Sequence, residues 1–380
     1  MWLNDDLDWK DQIKAVRGKG EAAVQQLNGL WVGQKVGLRV KKNVWKGVVR
    51  PKMDYGGEVW WTDSKQEASL ESVQIQAAGK WLACSSKTTR EVIWGDLGLE
   101  PLKVRREIGK LKEWGKMCAM GEERLEKVVW NLRCRFPGRR RSWDSVTWEC
   151  IQKYDLREEA DLLMGGELEL GEWEIAVRRK CKEGVVKAWR EGVGCKSKLR
   201  RYERVKEGRW GLEEWMLGEW SKDKKLKFRW RSGSCGLNED MGRREGGSRV
   251  CEACKSSDET VEHVMWECEG YEKLRQEFCA VMEMEAQKTS ETEWWQGFLE
   301  ASFEERTRLV LGGKVDSRCG RVQSPLKVGL MLETIGLQLI RKMHVHRTQL
   351  VYGCCPQSYY INCGGSQSTF STKPMVSCHN

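Results

Sequence analysis

The feature that most restricts this chain is a short run of metal-seeking side chains. Cys251 and Cys254 form C-x2-C, His263 follows after eight residues and Cys268 after four more, giving C-x2-C-x8-H-x4-C. A Cys-x-x-Cys turn points two thiolates inward. An imidazole and a third thiolate then complete a tetrahedron around Zn²⁺, a closed structural site with no open position for hydrolysis. The chain holds 16 cysteines but only four histidines, so a histidine between such a pair and a third cysteine is the informative member. Buried, unligated thiols are the alternative. Ser256 and Glu259 have capping-box spacing, which predicts a helix carrying His263, and Gly270 reads as its stop signal. Five residues of α-helix turn through about 500°. His263 and Cys268 can therefore share an ion only if the helix ends or unwinds near Trp266. A second set, His344, His346, Cys354 and Cys355, lacks a knuckle.

The remaining cysteines lie singly, unlike the dense framework of a disulfide-stapled domain, and fit a reducing compartment. The N-terminus, MWLNDDLDWK, is acidic and has no apolar core of a signal peptide. The most apolar segment, Pro325 to His346, is interrupted by Lys327, Glu333 and Arg341, which argues against a membrane span. The expectation is an intracellular protein, nuclear or cytoplasmic, and not secreted. The 66 Lys and Arg outnumber the 56 Asp and Glu, a net charge of +10 that leans towards a polyanionic partner. The 21 tryptophans read either as an aromatic stacking surface or as the product of a G-rich coding strand.

Periodicity reads as mainly helical. Leu70, Val73, Ala77 and Trp81 mark one face of a helix from about Asp63 to Cys84, after which Thr88, Thr89, Gly95 and Gly98 break the pattern. Pro101 opens the next helix, with Val104, Ile108, Leu111, Trp114 and Cys118 as its apolar stripe. Lys103, Arg106 and Lys110 share another face, and Arg105 adds charge. Leu30, Val32, Val36, Leu38 and Val40 fit a strand, whereas Val36, Val40, Val44 and Val48 or Val49 fit a helix ended by Pro51 and Gly56-Gly57. Helix is the reading taken. Further helices are expected at 8–27, 119–132, 143–162, 172–191, 197–230, 258–284, 291–310 and 325–345, with Arg133–Arg141 as a basic loop. Cys354–Asn380 reads as an irregular tail.

Between Lys196 and Arg249 there are 16 Lys and Arg against 9 Asp and Glu. Lys222, Lys224, Lys225, Lys227, Arg229 and Arg231 alternate with Leu226, Phe228 and Trp230. With Arg139, Arg140 and Arg141, and with Arg105, Arg106 and Lys110, they are the candidate nucleic-acid contacts, through phosphate neutralisation and base stacking. The alternative is a strand with one buried apolar face and one solvated cationic face.

Several short motifs occur in a fixed order. They are Tyr55-Gly-Gly-Glu-Val-Trp60, Gly95-Asp-Leu-Gly98 with Pro101-Leu-Lys-Val-Arg-Arg106, and Leu111-Lys-Glu-Trp-Gly115. Arg231-Ser-Gly-Ser-Cys-Gly-Leu237 with Arg243-Arg244 comes next, and then the Cys/His cluster with Tyr271 and Arg275. Together, over roughly Asp6 to Leu311, they resemble the region after the polymerase palm in LINE-type (non-LTR) retrotransposon reverse transcriptases. That resemblance implies thumb-like helices, a basic linker and a CCHC zinc knuckle. The palm's aromatic-x-Asp-Asp pair is missing, since Asp5-Asp6 follows Leu3-Asn4, and no Pro-Asp of the nuclease type occurs. No catalytic residue and no Mg²⁺ site are therefore expected.

The resulting expectation is a mainly α protein: a helical thumb-like region (1–135), a basic helical linker (136–248), a CCHC zinc knuckle with following helices (249–312) and a divergent, partly disordered tail (313–380). Its cofactor is structural Zn²⁺. Its partner is RNA or DNA, held weakly and electrostatically, with the missing polymerase core in trans as a further partner. The competing expectation is a structural or protein-interaction remnant with no nucleic-acid partner.

Overall fold

The computed structural model describes residues 9–32, 35–84, 88–135 and 142–352, apart from the side chains of 133–135 and 243–245. In chain order the helices are α1 (Lys10–Gln26), α2 (Asn28–Val32), α3 (Leu38–Val44), α4 (Arg50–Asp54), α5 (Ser64–Leu82), α6 (Arg90–Leu97), α7 (Leu102–Cys118), α8 (Leu125–Arg135) and α9 (Trp143–Lys153). They continue as α10 (Arg157–Met164), α11 (Leu170–Gly194), α12 (Arg200–Lys206), α13 (Lys222–Arg231), α14 (Asn238–Glu245), α15 (Glu272–Thr289), α16 (Thr292–Glu300), α17 (Phe303–Val310) and α18 (Pro325–Tyr352). The protein is mainly helical, and the β pairing among the described residues is one isolated bridge, Val250 to Asp258. No described helix is long and apolar enough to cross a membrane.

Local signals account for much of this. The Asp63 carboxylate accepts from the amides of Lys65 and Gln66, and the Gln66 side chain answers to the Asp63 amide, so α5 starts on a full capping box. Its stripe Leu70, Val73, Ala77 and Trp81 is buried. α7 likewise buries Val104, Leu111 and Trp114. Gly115 lies on that helix because an added Cβ would sit 2.3 Å from Trp173 Cδ1.

Other expectations are corrected. Pro51 does not end its helix: the π turn Trp45–Val49 joins α3 to α4, and the Arg50 amide bonds back to the Trp45 carbonyl. That wide turn makes room for a ring that would otherwise clash with a carbonyl one turn earlier. The buried face of this rod is Leu38, Trp45, Val49 and Met53, while Val40 and Val48 of the expected valine stripe are exposed. Gly95 lies inside α6 rather than breaking it, packed against Trp189. The 143–162 helix is split by Asp155 at φ 53°. The 197–230 and 291–310 helices are each divided into shorter ones.

Three apolar clusters form the interior. One joins α1 and α3–α6 to Trp189, Tyr202 and Trp220. A second joins α7 to α9, α10 and α11. The third joins the Cys/His segment to α15–α18. The second cluster spans the boundary set at 136. The third runs across the one set at 313, because α18 buries Val328, Leu332, Leu339 and Met343 in it. The irregular tail from Cys354 lies outside the described residues. Tryptophans supply these interiors: Trp31, Trp45, Trp60, Trp81, Trp173, Trp220, Trp230, Trp294 and Trp295 are all fully buried.

Helix α13 explains why an alternating pattern is not a strand here. Each residue advances about 100° around a helix. Leu226 and Trp230 therefore share one face and enter the third cluster, while Phe228 faces the opposite way into the first. Lys227 and Arg231 share a face that is also buried. Arg231 grips both oxygens of Glu213 at 2.6 and 2.8 Å, with Asp96 at 3.6 Å. Lys206 reaches Asp96 and Glu213, each at 3.0 Å. Lys227 has the Trp215 ring 5.0 Å away. Burial, with Arg231 nearby, lowers the Lys227 ammonium from 10.5 to about 7.

A lysine whose folded pKa is lowered carries its full cost below that pKa and sheds it as pH rises towards the unfolded value. Lys227→Met should therefore stabilise the fold by on the order of 1 kcal/mol or more at pH 6.5. The gap to the parent chain should narrow as pH rises from 7 to 9. Urea denaturation at three pH values measures this, and a gap that widens with pH would contradict it.

Candidate metal centre and the basic residues around it

The segment from Arg249 to Tyr271 carries little regular structure, yet its four chemical side chains converge. The ligand atoms of Cys251, Cys254, His263 and Cys268 all lie within 4.8 Å of one another. Cys251 Sγ is 3.7 Å from Cys268 Sγ, and Cys254 Sγ is 3.3 Å from His263 Nε2. With Zn–S of about 2.3 Å and Zn–N of about 2.0 Å, tetrahedral edges come to roughly 3.8 Å for S···S and 3.5 Å for S···N. Both observed edges lie close to those values, so the cluster could hold a metal ion.

Two backbone devices produce the convergence. In the knuckle, the Lys255 amide bonds to the Cys251 carbonyl, and Lys255 takes φ 59°. On the other side, His263–Glu267 is a π turn, and the Cys268 amide bonds to the His263 carbonyl at 2.8 Å. The wider turn is the unwinding near Trp266 that the ligand spacing demands. The capping-box expectation at Ser256 is corrected. Thr260 Oγ1 accepts from the His263 amide, Ser256 donates to the Cys254 sulfur, and Glu259 turns elsewhere. Gly270 is not a helix stop but a contact, since a Cβ there would lie 2.6 Å from that of Ala253.

Backbone amides solvate the sulfurs. Those of Ala253 and Cys254 reach Cys251, those of Ser256 and Ser257 reach Cys254, and that of Gly270 reaches Cys268. Burial pushes the Cys254 thiol upward, but the Ser256 hydroxyl, the two amides and the His263 ring outweigh it and bring it down to about 5. Burial raises Cys251 and takes Cys268 to about 12. Glu267 lies 3.3 Å from His263 Nδ1, positioned to fix the ring with Nε2 towards the sulfurs.

The module is tied to the helices by buried charge. Arg347 of α18 donates two bonds of 2.8 Å to Glu259, which also accepts from the Asn238 amide. Arg201 of α12 grips Glu262 at 2.9 and 2.8 Å. His346 packs its ring on Tyr271, 5.2 Å between centroids, and Cys354 and Cys355 of the second Cys/His set lie outside the described residues. Sequence reasoning gave Glu259 a capping role and missed its pairing with Arg347, a link that spans 88 positions.

The cations proposed from sequence are not one surface. Arg106 and Lys110 are buried: Arg106 pairs with Glu67, and Lys110 donates to the carbonyls of Gly57 (2.7 Å) and Trp60. The Tyr55–Trp60 motif thus wraps α7, and Arg105 joins it through Asp54 at 2.9 Å. Lys227 and Arg231 are buried in the seam, and Lys224 reaches the Leu217 carbonyl and Glu333. Only Lys222, Lys225 and Arg229 share an outward face of α13, Arg229 there donating to the Ala83 carbonyl. Arg139, Arg140 and Arg141 lie outside the described residues.

A basic group that the sequence analysis passed over is Lys42, Lys46 and Arg50, one turn apart along the α3–α4 rod. Among the described residues none of the three has a side-chain hydrogen bond or ion pair. Burial first, then repulsion from Lys46, brings Lys42 to about 8; burial and then Arg50 lower Lys46, and burial and then Arg105 lower Arg50. The four-residue spacing was the available signal.

These features define a mainly helical protein with a Cys₃His cluster able to hold a metal ion. No protein-family model, no curated protein and no solved structure matches the chain.

Two outcomes test the centre. Cys254→Ser should bring bound metal, read by elemental analysis, towards zero, whereas unchanged stoichiometry would remove the assignment. Cys254 is ionised at neutral pH and Cys251 and Cys268 are not, so metal binding at pH 7 should release about two protons. Calorimetry in buffers of different ionisation enthalpy counts them, and none released would contradict the ligand set.

Proposed function

We propose that the chain is a fragment derived from a LINE-type retrotransposon reverse transcriptase, without the catalytic palm. It binds RNA or DNA non-sequence-specifically and catalyses nothing alone. The carrying observation is the convergence of three sulfurs and one imidazole on a common point, docked onto α18 by a buried Arg–Glu pair and onto α12 by a half-buried one. The metal is Zn²⁺ in a structural role, because a closed S₃N set with tetrahedral edges suits that ion. The ordered motifs supply the family reading. Nucleic-acid contact is drawn from Lys222, Lys225 and Arg229, which the sequence suggested, together with Lys42, Lys46 and Arg50, which it did not. The polymerase core, acting in trans, is the natural protein partner.

Phosphate contacts release counterions, so log K should fall linearly as log salt rises, by about 0.7 per contact on single strands. Lys46→Glu with Arg50→Glu should weaken binding to single-stranded RNA uniformly across sequences and flatten that slope by roughly 1–2. Fluorescence anisotropy measures both. Affinity indifferent to salt, or no binding at low salt, would overturn the nucleic-acid reading.

One observation favours the second reading, a protein-interaction remnant. A groove of about 740 Å³ is lined by Trp9, Trp61, Trp130 and Trp143. Leu125 and Val129 of α8 also line it, and with Val128 and Leu132 they are exposed. Sedimentation that shows concentration-dependent self-association in zinc-replete protein, without nucleic-acid binding, would select it.

A further inference from the structure

A second, smaller cavity of about 130 Å³ lies where α7 and α9 meet the 60–67 segment. Its inner wall holds Arg106, whose guanidinium is only 4% exposed. The Trp60 ring lies 4.9 Å from the guanidinium carbon, and Glu67 takes Nη2. The plane of the group is thereby fixed. Its other terminal nitrogen, Nη1, is buried and has no hydrogen-bond partner. A buried charged donor left unmade is costly, and native structures rarely keep one unless a ligand, ion or water completes it.

The rest of the lining indicates what would complete it. Lys110, also buried, is anchored on the Gly57 and Trp60 carbonyls, so its charge stays beside Arg106. Lys103 and Lys153 stand at the rim, their side chains 56% and 47% exposed. Both approach Glu107, Lys153 at 2.7 Å and Lys103 at 3.9 Å. Counting Glu67, Glu107 and Glu149 against Lys103, Arg106, Lys110 and Lys153 leaves one positive charge in excess. At about 30 Å³ per water the volume admits roughly four waters. That is room for a small oxyanion and far too little for a nucleotide.

We propose that this cavity is a binding site for a small oxyanion, a phosphate or a carboxylate, held by Arg106 Nη1 from within and by Lys103 at the rim. The site is independent of the proposed nucleic-acid function, since its ligand is a free ion and its cations are not those of α3, α4 or α13. Two ligands share the chemistry: tetrahedral phosphate has more acceptor oxygens, whereas planar acetate matches one edge of a guanidinium.

The test is calorimetric titration of the full chain with sodium phosphate and, separately, sodium acetate at constant ionic strength, with chloride as the reference. Saturable one-to-one binding of at least one ion in the millimolar range or tighter is expected, and the preferred ion identifies the geometry. Arg106→Gln should weaken it about tenfold or more. Lys103→Gln, at a half-exposed position whose loss the fold tolerates, should weaken it several-fold with an unchanged circular dichroism spectrum. If Arg106→Gln does not fold, Lys103→Gln decides alone. Failure of both ions to bind the parent chain, or an affinity that Lys103→Gln leaves unchanged, overturns the site. Neither result bears on binding of RNA or DNA, which is read in a separate titration.

Discussion

Within residues 249–268, the knuckle from 249 to 258 must be closed by something other than apolar burial. The knuckle has one isolated bridge and Cys251 as its one buried apolar side chain, so its backbone entropy has little packing to oppose it, whereas Val261, Val264, Met265 and Trp266 beyond it are buried in the third cluster. Three sulfurs and an imidazole brought to one point could hold a metal ion, which would supply the missing constraint. A structural zinc site in such a module contributes on the order of 10 kcal/mol at neutral pH. The consequences reach further, because Glu259 and Glu262 leave this segment to hold Arg347 and Arg201, and through them α18 and α12. If the loop opens, Arg201 is left with Glu239 and Arg347 with the Asn238 side chain, each at 3.2 Å, so the buried Arg347 loses its charge partner, the arrangement that costs most.

The seam between the first and third clusters follows a different logic. Asp96, Lys206, Glu213, Arg231 and Lys227 bring several charges out of water, and only part of that desolvation is offset by paired geometry. Such a seam limits which way α13 can lie. Leu226 and Trp230 must face one cluster and Phe228 the other, and a rotated helix would strand Arg231. Here polar burial fixes the orientation of a helix whose apolar residues alone, three in ten, would leave underdetermined.

How much of this was legible in the sequence depends on how local each cause is. The stripes of α5 and α7 were readable because 3.6-residue periodicity is written in the helix itself. So was the ligand set, since C-x2-C with a nearby His and Cys needs no tertiary information, and the need for unwinding near Trp266 followed from helix geometry. The burial of Arg106, Lys110, Lys227 and Arg231 was not legible. A lysine or arginine reads as solvated unless its partner is known, and those partners lie 12 to 135 positions away. The α13 pattern fits period two as well as a helix with two buried faces, and nothing local decides between them. The π turn before Pro51 was hidden for a related reason: a proline signals a stop, and only packing of Trp45, Val49 and Met53 against α5 and α1 carries the rod through. The capping-box signal at Ser256 failed because the Glu259 amide, which such a cap would bind, donates instead to the Arg249 carbonyl at 2.7 Å.

The measurement closest to the central claim is X-ray absorption at the zinc edge of the purified, zinc-replete chain. Three sulfur scatterers at about 2.3 Å and one imidazole nitrogen at about 2.0–2.1 Å are expected. A shell of five or six oxygen or nitrogen neighbours without sulfur would contradict it, and with it the reading of this segment as a closed metal clamp.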